Sequence, residues 1–304
     1  MNTKLRYYFE QVDNCNMCGA DTAEHKVLGK RLNKRQGRNP QKKVGITTTV
    51  VKCTSCGLIY SNPQPIPFDI QDHYGLPPEN YWKRPGYLTI EENYREGEIN
   101  TCKKLIDFKP GMTALDIGAG LGKAMIAFDK AGFDTYGFEP SQPFYERALS
   151  QMNINPEKLK FATIEEVEYP ENFFDFIAFG AVLEHIYDPS AALKKALKWA
   201  KPGGIIQIEV PSSKWLVPQI THLYYRLTGT DYVSNLCPMH RPFHLHEFSF
   251  KSFEEHSRQN GYEIVHHEYY VCRTYMPKIL DYVLVPYMKW TNKGMQLAIW
   301  LRKK

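Results

Sequence analysis

Along residues 112–211 short apolar blocks alternate with stretches whose apolar positions recur at helical spacing. Residues 112–115 form a brief apolar run, and 123–130 have a helical pattern. Residues 134–138, 159–163, 172–179 and 205–210 are again short apolar runs, with helical residues around 194–198 before the last. Strand-length runs alternating with helices predict parallel strands joined by crossover helices. Two later runs, 262–271 and 295–301, and a helix at 251–260 extend the series. The expected fold class is α/β, built on a seven-stranded, mostly parallel sheet.

The first strand runs into Leu115-Asp116-Ile117-Gly118-Ala119-Gly120-Leu121-Gly122. Glycines between a strand and a helix let backbone N–H groups approach a ligand where a Cβ would collide. Asp116, Gly118, Ala119, Gly120 and Gly122 are therefore candidate cofactor residues. The second strand ends at Glu139, followed by Pro140, and a carboxylate there can accept hydrogen bonds from both hydroxyls of a ribose. Dinucleotide sites favour G-x-G-x-x-G, whereas here every second residue is glycine. The turn alone admits nicotinamide or flavin dinucleotides, S-adenosylmethionine, or no ligand at all.

The segments that follow narrow the choice. LDIGAGLG, the acid in YGFEP, FFDFIAFGAVLEHIYDP and KPGG occur in that order between about residues 110 and 211. Together they resemble the class I S-adenosylmethionine-dependent methyltransferases, whose fold is Rossmann-like. The resemblance implies S-adenosylmethionine as cofactor, with Glu139 on the ribose and Asp116 ordering the turn and the methionine amine. It places Ile164 beside the adenine, Glu165 near its amino edge, and Gly180 and Ala181 near the methionine amine. His185 titrates near neutrality and is a candidate base, although the same Glu-His pair also serves structural roles in the superfamily.

Two knuckles, Cys15-Asn16-Met17-Cys18-Gly19 and Cys53-Thr54-Ser55-Cys56-Gly57, share the form C-x-x-C-G. Four thiolates on two such turns suit a closed, structural zinc site, against the alternative of redox-active or free thiols. Residues 30–43 between them hold seven basic residues and no acidic one, either a phosphate contact or a solvated hairpin tip. With CGLIYSNP, the knuckles resemble the zinc ribbon of bacterial methyltransferases from sugar, surface-polysaccharide and natural-product pathways. The expected domains are a zinc ribbon with its linker (1–75) and the methyltransferase domain (76–304).

Within the second domain, residues 212–248 are expected to form a substrate lid over the crevice, with His244 touching the acceptor. The cluster His240-Arg241-Pro242-Phe243-His244-Leu245-His246 lies there, and Arg241 suits an anionic substrate. Residues 272–293 form an apolar excursion that suits a pocket cap, a homodimer face or a membrane contact beside a lipid-linked substrate. Net charge +5 falls short of a dedicated nucleic-acid binder, so RNA is disfavoured against a small acceptor such as a nucleotide sugar. An RNA base methyltransferase is the rival enzyme, and a non-catalytic ribbon module the third reading. No signal-peptide pattern or transmembrane segment is read, and the expected location is cytoplasmic.

Overall fold

The computed structural model describes residues 7–31, 46–82, 86–236, 242–274 and 276–304. Its central sheet comprises β1 (Thr113–Ile117), β2 (Asp134–Glu139), β3 (Leu159–Phe161), β4 (Phe174–Gly180), β5 (Ala200–Pro211), β6 (Tyr262–Tyr270) and β7 (Gln296–Lys303). The order across the sheet is β6-β7-β5-β4-β1-β2-β3. Strands β1 to β5 pair in parallel, while β7 runs antiparallel to both β5 and β6. The sheet is the expected Rossmann-like one. Because β2 and β3 lie on one side of β1 and β4 on the other, a crevice opens beyond the carboxyl ends of β1 and β4.

Alternation along each strand fills both faces. Leu115, Ile117, Ile177 and Phe179 enter one apolar cluster, while Ala114, Phe176 and Ala178 enter the other. From residue 96 onward the helices are α1 (Glu96–Leu105), α2 (Lys123–Lys130), α3 (Gln142–Met152), α4 (Pro189–Trp199), α5 (Leu216–Leu227), α6 (Phe250–Ser257) and α7 (Lys278–Thr291). Asp188 caps α4 through a bond from Ala191 N, and Ser249 and Ser252 form a reciprocal capping box on α6. No helix of the described residues is long and apolar enough to cross a membrane.

The N-terminal part differs from expectation in how it is completed. Lys26–Arg31, Thr49–Lys52 and Ile59–Ser61 form an antiparallel set. Tyr232–Val233 then adds beside Lys30 and Arg31, and His246–Glu247 beside Ile59 and Tyr60. Two short pieces of the segment expected to be a lid are thus pinned into a five-stranded sheet with the strands around the cysteine knuckles. The seam is held by buried polar groups. Arg31, fully buried, donates to Leu236 O and lies over the Phe243 ring, while Glu247 accepts from Asn235 Nδ2 and Leu236 N. Burial pushes the Glu247 carboxyl up to about 7, against the pull of Asn235, Leu236 and Arg31.

Removing the guanidinium leaves that carboxyl and the Leu236 carbonyl without their cation. Arg31→Ala is expected to lower the unfolding free energy by about 3 kcal/mol. Denaturant unfolding checks this, and an unchanged midpoint would show that the seam carries no weight.

Candidate functional site

Two turns at the carboxyl end of the sheet define the site. Between β1 and α2, Gly118 (φ +68°) lies so close to Val182 that a Cβ would stand 2.7 Å from its Cγ2. Between β2 and α3, Glu139 is buried, and its two oxygens hold both turns together. Oε2 accepts from Gly120 N at 2.7 Å and Oε1 from Ser141 N at 2.8 Å. Burial pushes this carboxyl up to about 7 despite those two donors. Asp116 on β1 is also raised to about 7 by burial, opposed by the positive charge of Arg95.

These groups border a cavity of about 780 Å³. Of the predicted cofactor residues, Asp116, Gly118, Ala119, Gly120, Glu139, Pro140, Ile164, Glu165, Gly180 and Ala181 line it. Gly122 does not. It caps α2 with φ +75°, and a Cβ there would stand 2.5 Å from Ile154 Cγ1, so this glycine serves helix-to-chain packing. Ala181 lies on the cavity wall in the left-handed region (φ +58°), a conformation that costs an alanine about 1 kcal/mol.

The remaining wall is built from segments ahead of the sheet. It comes from Tyr8, from the linker helices Ile70–Tyr74 and Pro78–Trp82, and from Tyr94 and Arg95 ahead of α1. Gln71 Nε2 donates to Pro140 O, and Ser141 Oγ donates to Tyr74 O, clamping the first linker helix onto the β2–α3 turn. Tyr81 is on the same wall. Arg95 pairs with Glu209 at 3.0 Å, and its guanidinium occupies the space that a Cβ on Gly180 would take. Burial works against its charge, but Glu209, Tyr94 and Glu98 outweigh that and keep it above the ordinary value. An arginine ahead of the acid-rich first turn of α1 looks like a surface residue, so no local signal announces it.

Among described residues of the 212–248 segment only Pro242 lines the cavity, and none of 272–293 does. Among the described residues the two segments are engaged elsewhere: Tyr232–Val233 and His246–Glu247 pair into the five-stranded sheet, and most of α7 is exposed. His240 and Arg241, and most of the basic 30–43 stretch, lie outside the described residues. His185 is on the wall, and its Nδ1 is 2.9 Å from Phe243 O. His244, expected to touch the acceptor, stands behind it, with ring centroids 4.8 Å apart and Nε2 3.9 Å from Glu184 Oε1. Glu184 is buried, and burial pushes its carboxyl up to about 8.

Cys15, Cys18, Cys53 and Cys56 come together with all four Sγ atoms within 4.8 Å of one another. Cys15–Cys56 and Cys18–Cys53 are each 3.6 Å apart, close to the roughly 3.8 Å between sulfurs on a tetrahedral zinc. Gly19 and Gly57 turn with positive φ, and Cys56 N donates to Cys53 Sγ. Without a cation only part of the set can ionise. The neighbouring sulfurs of Cys15 and Cys56 favour the Cys53 thiolate, while hydrogen bonding among the thiols and burial push Cys15 and Cys56 up. The donor set therefore fits a divalent metal, and it could close a structural site.

Residues 94–267 match the model of a family described as a methyltransferase domain. Phosphoethanolamine N-methyltransferase 3 of Arabidopsis thaliana is 30% identical over 138 residues, 42% of this chain and 28% of that protein. A ubiquinone biosynthesis O-methyltransferase of Bradyrhizobium diazoefficiens is 26% identical over 132 residues, 42% of this chain and 49% of that protein. The chain thus spans about a quarter to a half of the length of these relatives. A solved S-adenosylmethionine-dependent methyltransferase from Mesorhizobium loti aligns at 14% identity and a TM-score of 0.47, covering 69% of this chain and 97% of that one.

The raised Glu184 carboxyl makes a pH prediction. Its proton is held up to about pH 8 in the folded state but only to about 4.5 in the unfolded chain. Its contribution to stability is full below pH 4.5 and is lost as pH rises towards 8. The thermal midpoint of the ligand-free protein should fall across that range, and Glu184→Gln should flatten the slope. Equal slopes in variant and wild type would remove Glu184 as the cause.

Proposed function

Since the chain belongs to the methyltransferase-domain family whose model it matches over more than half its length, we propose that it transfers a methyl group from S-adenosylmethionine to a small, sugar-like or anionic metabolite of a bacterial biosynthetic pathway. The observation that carries this reading is the Glu139-bridged glycine turn on a largely apolar cavity whose charged lining residues are mostly acidic. Asp116, Glu139, Glu165, Glu166 and Asp188 line it against Arg95 and Lys123. A dinucleotide pyrophosphate would meet repulsion there, whereas a sulfonium and an ammonium would be attracted.

When bound, S-adenosylmethionine supplies an electrophilic methyl group on a positively charged sulfur. The chain's part is to hold, orient and exclude water. Glu139 keeps a free lone pair on each oxygen and holds the ribose. Ile164 and Glu165 flank the adenine. Asp116 and the backbone of Gly180 and Ala181 hold the methionine amine, and Arg95 faces its carboxylate. The rings of Tyr8, Tyr74, Tyr81 and Phe144 dry the remaining wall. His185 accepts the acceptor's proton at Nε2, because the Phe243 carbonyl fixes the other ring nitrogen as the donor. His244, behind it, packs edge-on against that ring and positions it. The four cysteines hold a structural zinc ion that ties the ribbon to the domain.

Calorimetric titration with S-adenosylhomocysteine, with NAD as control, tests the reading, with micromolar binding of the first alone expected. Binding of NAD alone would overturn it. Glu139→Gln should weaken S-adenosylhomocysteine about tenfold, the loss of one charge-assisted bond, and equal affinity would remove the ribose assignment. Purified protein should carry one zinc per chain by elemental analysis, and Cys53→Ser should abolish it. Full zinc retention in that variant would exclude the four-cysteine site.

A further inference from the structure

Helix α7 carries apolar surface that the described chain leaves uncovered. Tyr282, Trp290, Ile279 and Val283 are 83%, 82%, 75% and 68% exposed, and Tyr287 is 39% exposed. At 100° per residue these five positions fall within an arc of about 140° on one side of the helix. Met288 is the buried residue of α7. The stripe is therefore an outer face. A large contiguous patch of this kind on a folded domain calls for a partner.

The charges around the stripe say which partner. Lys278 and Lys289 fall on the same edge of the helix, next to Tyr282, and among the described residues neither has an ion pair. Lys293 follows just past the cap, with its ammonium 5.5 Å from the Tyr287 ring. The helix has one acid, Asp281, which lies on the opposite side and accepts bonds from Thr274 N and Oγ1. The outward face is thus apolar and aromatic, edged by lysines and free of carboxylates. Helix α5 begins where α7 ends, Leu216 N donating to Lys293 O, and it adds exposed Leu223, Tyr224 and Leu227 beside Arg226.

We propose that α7 seats the protein on a bilayer surface rich in anionic lipid, lying in the headgroup plane with its stripe in the acyl boundary. Its 14 residues span about 21 Å, too short to cross but suited to lying flat. Tyr and Trp rings favour that depth, and lysine stems reach past them to lipid phosphates. A second copy of this chain fits less well, because a two-fold contact would bring lysine rows together with no outward acid to pair them. The inference does not depend on the proposed reaction.

Sedimentation of the full chain with vesicles tests it. Wild type should co-sediment with phosphatidylcholine–phosphatidylglycerol vesicles, and much less with phosphatidylcholine alone or at high salt. Tyr282→Ser with Trp290→Ser, and separately Lys278→Glu with Lys289→Glu, should each lower partitioning at least about tenfold. These side chains lie outside the core, so the thermal midpoint and the binding of S-adenosylhomocysteine should stay at wild-type values. The proposal is overturned if wild type ignores both vesicles, or if both double variants partition like wild type. It is equally overturned if light scattering finds a dimer that Tyr282→Ser/Trp290→Ser converts to monomer while vesicles bind neither form.

Discussion

The geometry of the site rests on one carboxylate. Glu139 accepts from Gly120 N and from Ser141 N, and so fixes the two strand-to-helix turns on either side of β1 and β2 relative to each other. Those turns come from chain segments with no other covalent reason to share a register. The bond is made in a buried place, where an unpartnered carboxylate would be costly and a paired one is strong. The left-handed glycines follow from this constraint. With the turn pulled towards Glu139, Gly118 is pressed against Val182 and Gly122 against Ile154, so neither position tolerates a side chain. Ser141, whose N–H is held by Glu139, passes the constraint outward through its hydroxyl to Tyr74.

A second link joins this cradle to the cysteine cluster. Asn16, inside the first knuckle, donates to Tyr187 O, and Gln64, which opens the following strand Gln64–Pro67, reaches the same carbonyl. Tyr187 belongs to the loop after β4 and lines the cavity. The cysteine-bearing sheet is therefore not a separate bead on the chain. It is a buttress behind the loop that carries His185, and it is built partly from the 212–248 segment through Arg31 and Glu247. Any loosening of the four sulfurs has a short physical route to the cavity wall.

What could be read in the sequence is what short-range pattern encodes. Strand and helix periodicities between 112 and 211, the glycine turn and the acid closing β2 all act within a few residues, and the structure has them in their expected places. The paired knuckles, though 34 residues apart, were legible because each repeats a local C-x-x-C-G turn. What could not be read depends on distant partners. Lys30 meets Asp231, and Arg31 meets Leu236, across about two hundred residues. Four residues of strand pairing decide whether 212–248 hangs over the crevice or joins the ribbon, and so short a stretch leaves no periodic signature. The same limit hid Arg95, whose role arises only where Glu209 and Gly180 meet it. It also hid the order of the two histidines, since nothing local says that His185 faces the cavity and His244 stands behind.

The electrostatics of the cavity give these separate features a common sense. Asp116, Glu139 and Glu184 are all carboxyls that burial has made reluctant to ionise, with values pushed up to about 7, 7 and 8. One buried guanidinium, Arg95, is engaged by Glu209 and Glu98 and so offsets little of their charge. Asp116 and Glu139 line the cavity and Glu184 lies behind its wall, so the site responds to positive charge. A cation entering it stabilises the ionised forms, and the carboxylates in turn hold the cation more tightly. An apolar pocket of the same size would bind adenine and ribose as well, but it would not distinguish a charged sulfonium cofactor from its neutral demethylated product. Carboxylates among the lining residues would make that distinction in the useful direction, because attraction for a positively charged reactant falls away once the methyl group has left.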